Sequence, residues 1–243
     1  MDRDWYCEIN GAARHLRDRP RARLQLRADD LLFPLVEKYR PSRRLHNYHP
    51  HYWRHFRDIR LAVRKVVEIG VFQENSLRLW EEFFPNAEIF GLDIDPRCAA
   101  FAGGRRRVFI GDQGDPEFLG RFIEETGGDF DVVIDDGAHT EGAIMTSLRY
   151  LLPTMQPHGL YAIEDLINLE RLTGYLARLA IDINYYPDDV AAQDWPFLTA
   201  LPHGSWLQRH ITSIAFYRFL CIIQRGLNPE DNPYLRRPDE PKI

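Results

Sequence analysis

Cysteine is scarce in this chain and never closely paired. Cys7, Cys98 and Cys221 are the three present, widely spaced and odd in number, which argues against a disulfide framework and against a thiolate zinc site. No apolar run is long enough to span a bilayer, and the opening Met1-Asp2-Arg3-Asp4 has no apolar signal core. These absences predict a reducing cytoplasm and no membrane partner. A basic excess is missing as well. The formal net charge is −5, so nucleic acid is not an expected partner. The glycine fingerprint of dinucleotide binders is also missing. The segment Gly70-Val71-Phe72-Gln73-Glu74-Asn75-Ser76 carries one glycine rather than three, and no Gly-Lys-Ser/Thr phosphate loop occurs. A pyrophosphate ligand is therefore poorly supported.

What is present is ordinary for a globular protein: 44% hydrophobic and 28% charged residues in 243. That length suits one domain with an N-terminal extension, and it can bury a core on both faces of a sheet. The charge is uneven. The run from Arg14 to Arg27 includes Arg17, Arg19, Arg21 and Arg23, and the segment from Arg40 to Arg60 adds more. This reads as a solvated helix face or a subunit contact, hence a homo-oligomer (dimer or higher), with a surface for an acidic substrate or partner as the alternative.

Residues 1–60 form the extension. Leu31, Leu32, Leu35 and Val36 recur at helical spacing, predicting a helix near 28–39 that ends before Pro41. The stretch from His46 to Phe56 is dense in imidazoles and rings. From Lys65 the pattern changes to alternating strands and helices. Strands are expected at 65–69, 88–93, 108–110, 130–135 and about 158–163. Asp115-Pro116 marks a helix start. Alternation of this kind implies an α/β fold with a parallel sheet and helices on both faces. Ile211–Tyr217 and Leu220–Gln224 are too close for a helical crossover, so they should pair antiparallel. Residues 61–226 thus form the core, with 166–205 as a substrate-side insertion containing a helix near 168–182. Residues 227–243 form a Pro-rich tail.

The chemistry concentrates at the strand ends. Glu68 and Gly70 close the first strand, Asp93 the second and Asp112 the third. Asp135 and Asp136 close the fourth, and Glu164 and Asp165 the fifth. In an open α/β sheet, ligands bind beyond the carboxyl ends of the strands. One such acid is as readily a turn or helix cap. Five acidic ends in succession point to a site along that edge. A cofactor with a ribose but no phosphate fits it. Asp93 would accept from the ribose hydroxyls and Asp112 from an adenine amino group.

If the fourth and fifth strands are neighbours, their ends lie roughly 5 Å apart, and Asp136, Glu164 and Asp165 crowd together. Like charges so placed need a positive partner. All-oxygen ligands point to Mg²⁺, with Mn²⁺ or Ca²⁺ as alternatives. His139, three residues after Asp136, is placed to accept a proton at the same edge.

The order Glu68-x-Gly70, Gly91-x-Asp93, Gly111-Asp112-Gln113, Ile134-Asp135-Asp136-Gly137-x-His139 and Ile163-Glu164-Asp165 resembles the metal-dependent macrolide-sugar O-methyltransferases. It is also similar to related bacterial glycan O-methyltransferases. The resemblance covers roughly residues 46–225. It implies a Rossmann-like class I S-adenosylmethionine-dependent methyltransferase, with a mostly parallel seven-stranded sheet whose last strand is antiparallel. It implies Mg²⁺ on Asp136, Glu164 and Asp165, with His139 as general base. It places S-adenosylmethionine against Glu68, Gly70, Ser76, Asp93, Asp112, Gln113 and Asp135, with Tyr48 from the segment before the core. The acceptor implied is a small-molecule hydroxyl on a sugar or glycoside. A catechol-like hydroxyl and a non-catalytic binding module are the rival readings. The sequence departs from the macrolide enzymes in lacking their large N-terminal auxiliary domain and in its short loop after Gly70. The acceptor is expected to be read by the N-terminal part and by 166–205, with Trp195, His203 and Trp206 available either for stacking or for the core.

Overall fold

The computed structural model describes residues 30–41, 46–183 and 206–227. The Arg14–Arg27 run, Cys7, Trp195, His203, most of the insertion and the Pro-rich tail lie outside the described residues. Leu31 opens the compact unit that holds every element below.

Two short helices come first, α1 (Leu32–Tyr39) and α2 (His49–Phe56). Then follow β1 (Lys65–Ile69), α3 (Asn75–Phe83), β2 (Glu88–Asp93), β3 (Arg106–Ile110) and α4 (Pro116–Thr126). β4 (Phe130–Asp135), α5 (Glu141–Leu151), β5 (Met155–Ile163) and α6 (Glu170–Asp182) continue the alternation. A short α7 (Trp206–His210) leads into β6 (Ile211–Tyr217) and β7 (Leu220–Arg225). The sheet order is β3-β2-β1-β4-β5-β7-β6. β1 to β5 run parallel, β7 is antiparallel to β5, and β6 is antiparallel to β7. The expected seven-stranded, mostly parallel sheet is therefore present, with the C-terminal pair antiparallel.

Alternation along each strand assigns side chains to two cores. Val66, Val132, Ile134, Leu160 and Ala162 join one with Tyr52, Phe56, Trp80 and Phe84, from α1 to α3 and their flanks. Val67, Ile69, Val133, Tyr161 and Ile163 join the other with Leu119, Phe122, Leu148 and Leu176, from α4 to α6. Helices thus cover both faces. The α4 start is as expected: the Asp115 carboxylate accepts from Glu117 N at 2.9 Å, with Pro116 in the first turn.

Within the described part of the N-terminal extension, α1 and α2 pack into the core: Leu32 and Val36 are buried, and Tyr52 and Phe56 are fully buried against Trp80. An aromatic face on α2 closes the core that β1 alone would leave open. Trp206 packs against the α6 side and stacks on His210 at 4.5 Å, which favours the core reading of that residue. Cys98 and Cys221 are buried free thiols, and burial pushes them up to about 11 and about 12. Among the described residues no helix is long and apolar enough to cross a membrane.

Candidate active site

A cavity of about 560 Å³ opens beyond the carboxyl ends of the parallel strands, where open α/β sheets place ligands. Gly70, Ser76, Asp93, Asp112, Gln113, Asp136, His139 and Asp165 line it. Its floor requires glycine at two positions. Gly70 has φ +85°, and a Cβ there would lie 2.1 Å from the Asp136 carbonyl oxygen. A Cβ on Gly137 would lie 1.9 Å from Gln113 Oε1. The β1 and β4 ends can therefore meet only as bare backbone.

The strand-end acids separate by position and by parity. Glu68 lies two residues after Val66 and shares its face, where it accepts from Trp80 Nε1 at 3.2 Å. Glu164 lies two after Ala162 and accepts from Tyr52 at 2.6 Å. Asp135 lies two after Val133 and points to the opposite face. It accepts from Ser147 at 2.5 Å, Gln113 Nε2 at 3.0 Å and Tyr161 at 3.1 Å. Burial raises its pKa, and the three donors pull it back down. These three acids are buried in the layers flanking the sheet, so the structure does not place Glu68 or Asp135 in the cavity wall.

The acids that reach the cavity stand at or just past the strand ends. Asp93 secures the β1 loop. Its Oδ2 accepts from Val71 N at 2.8 Å and Phe72 N at 2.9 Å, and its Oδ1 from Asp95 N at 2.8 Å. The carboxylate also accepts from the Cys98 thiol and lines the cavity. Asp112 Oδ1 accepts from Gly114 N at 2.7 Å. Gln113 is buried and bridges, accepting from Ala138 N at 2.7 Å while donating to Asp135. It therefore positions the loop that carries Asp136 and His139.

Asp136, His139 and Asp165 each offer a ligand atom, all within 4.8 Å of one another. Oxygen ligands of one divalent ion at 2.0–2.6 Å can be at most roughly 4–5 Å apart, so the Asp136 and Asp165 carboxylates are close enough to share such an ion, with His139 beside them. His139 Nε2 lies 3.8 Å from both Asp136 Oδ1 and Asp165 Oδ2, too far for hydrogen bonds. The imidazole faces a gap between the two carboxylates. Glu164 is not in this cluster as it stands, because its parity sends it toward Tyr52.

Main-chain bonds continue the sheet past its ends. Asp136 N donates to Ile69 O at 3.0 Å and Glu164 N to Asp135 O at 2.9 Å. His139 and Asp165 then sit in the left-handed region at φ +48° and +53°. Asp and His are among the residues that tolerate it, and strain of this kind collects at functional sites. Asp165 is held from outside the sheet: Oδ1 accepts from Tyr48 at 2.7 Å and lies 2.9 Å from His46 Nδ1. Tyr48, expected beside the cofactor, donates here to Asp165 and is not among the residues that line the cavity. Burial and this carboxylate raise the tyrosine pKa. Tyr48 and Tyr52 are four apart, one turn of α2, so they meet consecutive acids. That i, i+4 spacing was visible in the sequence, but its target was not.

The chain is similar to characterised O-methyltransferases. It is 46% identical over 129 residues to mycinamicin VI 2''-O-methyltransferase of Micromonospora griseorubida, covering 50% of this chain and 32% of that protein. It is 34% identical over 206 residues to demethylmacrocin O-methyltransferase of Streptomyces fradiae, covering 76% of this chain and 50% of that one. The chain therefore spans half or less of the length of these relatives. No protein-family model matches it. Among solved structures, MycE methyltransferase of the mycinamycin pathway, in complex with Mg and SAH, superimposes with a TM-score of 0.70 at 31% identity, over 84% of this chain and 59% of that one. In sequence and in fold, the chain is a relative of the macrolide-sugar O-methyltransferases, built on the class I S-adenosylmethionine-dependent methyltransferase fold.

Proposed function

We propose that the chain is a metal-dependent O-methyltransferase that uses S-adenosylmethionine to methylate a hydroxyl of a sugar or glycoside. The observation that carries it is His139 Nε2 set 3.8 Å from two carboxylates, in a cavity that Asp93 and Asp112 also line. Similarity to enzymes named for macrolide substrates, one of them with Mg and SAH bound, supports the cofactor pair and the acceptor class.

Asp93 would take the ribose hydroxyls and Asp112 the adenine amino group, with Ser76 and the bare backbone at Gly70 against the remainder. Asp136 and Asp165 would hold the cation. Glu164, adjacent in sequence, is the third oxygen donor, reached by turning away from Tyr52. A bound S-adenosylmethionine supplies an electrophilic methyl group, and a bound divalent cation acidifies a hydroxyl beside it. His139 accepts the hydroxyl proton. Its partial exposure (40% of the side chain) lets that proton pass to solvent. Tyr48 and His46 fix Asp165, and Gln113 fixes the His139 loop, so the groups are positioned before the acceptor arrives.

Calorimetry with S-adenosylmethionine and Mg²⁺, followed by transfer of labelled methyl to vicinal-diol sugars and to catechols, tests this. Binding of both and transfer to sugars, abolished by EDTA, is expected. Transfer to catechols alone overturns the acceptor class. Binding of neither ligand overturns the whole reading.

A further inference from the structure

Four aspartates line the cavity: Asp93, Asp112, Asp136 and Asp165. Among the described residues, Arg40 is the one guanidinium or ammonium side chain in that lining. It ends α1 in the left-handed region at φ +49°, its main-chain N–H donating to Val36 O at 2.9 Å. The helix behind it is anchored. Leu32 and Val36 are buried in the core, and Lys38 and Tyr39 both reach Glu82 on α3 at 2.5 Å. No hydrogen bond or ion pair ties the Arg40 guanidinium to any other described residue. Among the described residues, a fixed backbone thus presents an unengaged fork to a cavity whose lining includes four carboxylates.

That charge pattern suits most of S-adenosylmethionine. The sulfonium, the ammonium and the hydroxyls all find acceptors. Its α-carboxylate is the exception, since four aspartates repel it. An arginine fork matches a carboxylate with two parallel N–H donors and keeps its charge at all relevant pH. Resting on the methyltransferase reading above, we propose that Arg40 binds the α-carboxylate of the cofactor, so that the helix before the core selects for its amino-acid end.

The test is calorimetry without metal or acceptor, using three ligands on the full chain and on Arg40→Gln. S-adenosylhomocysteine carries the carboxylate and the amine. Its decarboxylated analogue carries the amine alone, and 5′-methylthioadenosine carries neither. Arg40→Gln should weaken S-adenosylhomocysteine at least tenfold and change the other two less than twofold. Arg40→Lys, which keeps the charge but loses the fork, should fall between. Equal loss for all three ligands, or no loss for any, overturns the assignment. Because Arg40 is exposed and unengaged, the variants should keep the wild-type melting temperature; a drop of several degrees would show a structural role and also overturn it. If the unaltered chain binds none of the three, the methyltransferase reading fails and this assignment falls with it.

Discussion

The Tyr52 hydroxyl donates to Glu164 at 2.6 Å, joining α2 to the end of β5 across 112 positions of chain. Both groups are fully buried, so water cannot replace the donor readily. Tyr52→Phe keeps the ring packing on Phe56 and Trp80 and removes only the hydroxyl. It should cost roughly 1–3 kcal/mol, the range for stranding a buried polar partner. Tyr48→Phe should cost less, because His46 Nδ1 still lies 2.9 Å from Asp165. Urea midpoints of the two variants decide it; a larger loss at Tyr48 would reverse the ranking.

His139→Ala should lower turnover by about 10²–10⁴-fold, the usual contribution of a general base. S-adenosylhomocysteine affinity should stay within about twofold, since the imidazole stands beside Asp136 and Asp165, the proposed metal ligands, and not beside the acids assigned to the cofactor. Single-turnover rates together with calorimetry separate the two effects. Unchanged turnover removes His139 as the base.

Gly70→Ala should destabilise by roughly 3 kcal/mol or more, because φ +85° and a contact of 2.1 Å to main-chain oxygen both oppose a Cβ. Gly120, inside α4 with nothing within 4 Å of its notional Cβ, should behave in the opposite way. Gly120→Ala should stabilise by about 0.5–1 kcal/mol through helix propensity. Chemical unfolding of the pair, with similar m-values, checks both signs.

His55 sets a pH dependence for the packing of α2 on β6. Its Nε2 lies 2.9 Å from the Tyr217 hydroxyl on β6. Burial lowers its pKa, and Arg54 and His51 on its own helix add repulsion. The unfolded chain therefore takes up this proton at a higher pH than the folded one. Stability from neutral His55 is complete above its ordinary value of 6.5 and is lost as pH falls through 6.5 toward the lowered folded value. His55→Gln should flatten the loss of stability between pH 7 and pH 5. Urea midpoints at three pH values measure the slope, and an unchanged slope would assign the dependence elsewhere.

Much of the fold was legible because its signals are local. β1, β2 and β4 fall at the expected residues, and the Asp115 cap starts α4 where the dipeptide predicted. β5 begins earlier than expected, at Met155 rather than His158, because Met155 pairs with Phe130 ahead of a register shift. The site was legible in part. Gly70, Ser76, Asp93, Asp112, Gln113, Asp136, His139 and Asp165 all line one cavity, whereas Glu68, Asp135, Glu164 and Tyr48 do not. Arg40 was missed because a helix-ending arginine carries no motif.

By itself the sequence determined the strands, the turns between them and the sheet edge that carries the acids. Each depends on near neighbours: alternation with period two, glycine where φ is positive, a cap before a proline. Only the tertiary structure decided which acids face the cavity and which are buried. That outcome depends on which helix covers each face of the sheet. Glu164 goes to Tyr52 and Asp135 to Ser147 because α2 and α5 lie on opposite sides, and Asp165 reaches the cavity because its left-handed turn takes it past the strand. A contact such as Tyr52 to Glu164, made across 112 residues, leaves no periodicity to read.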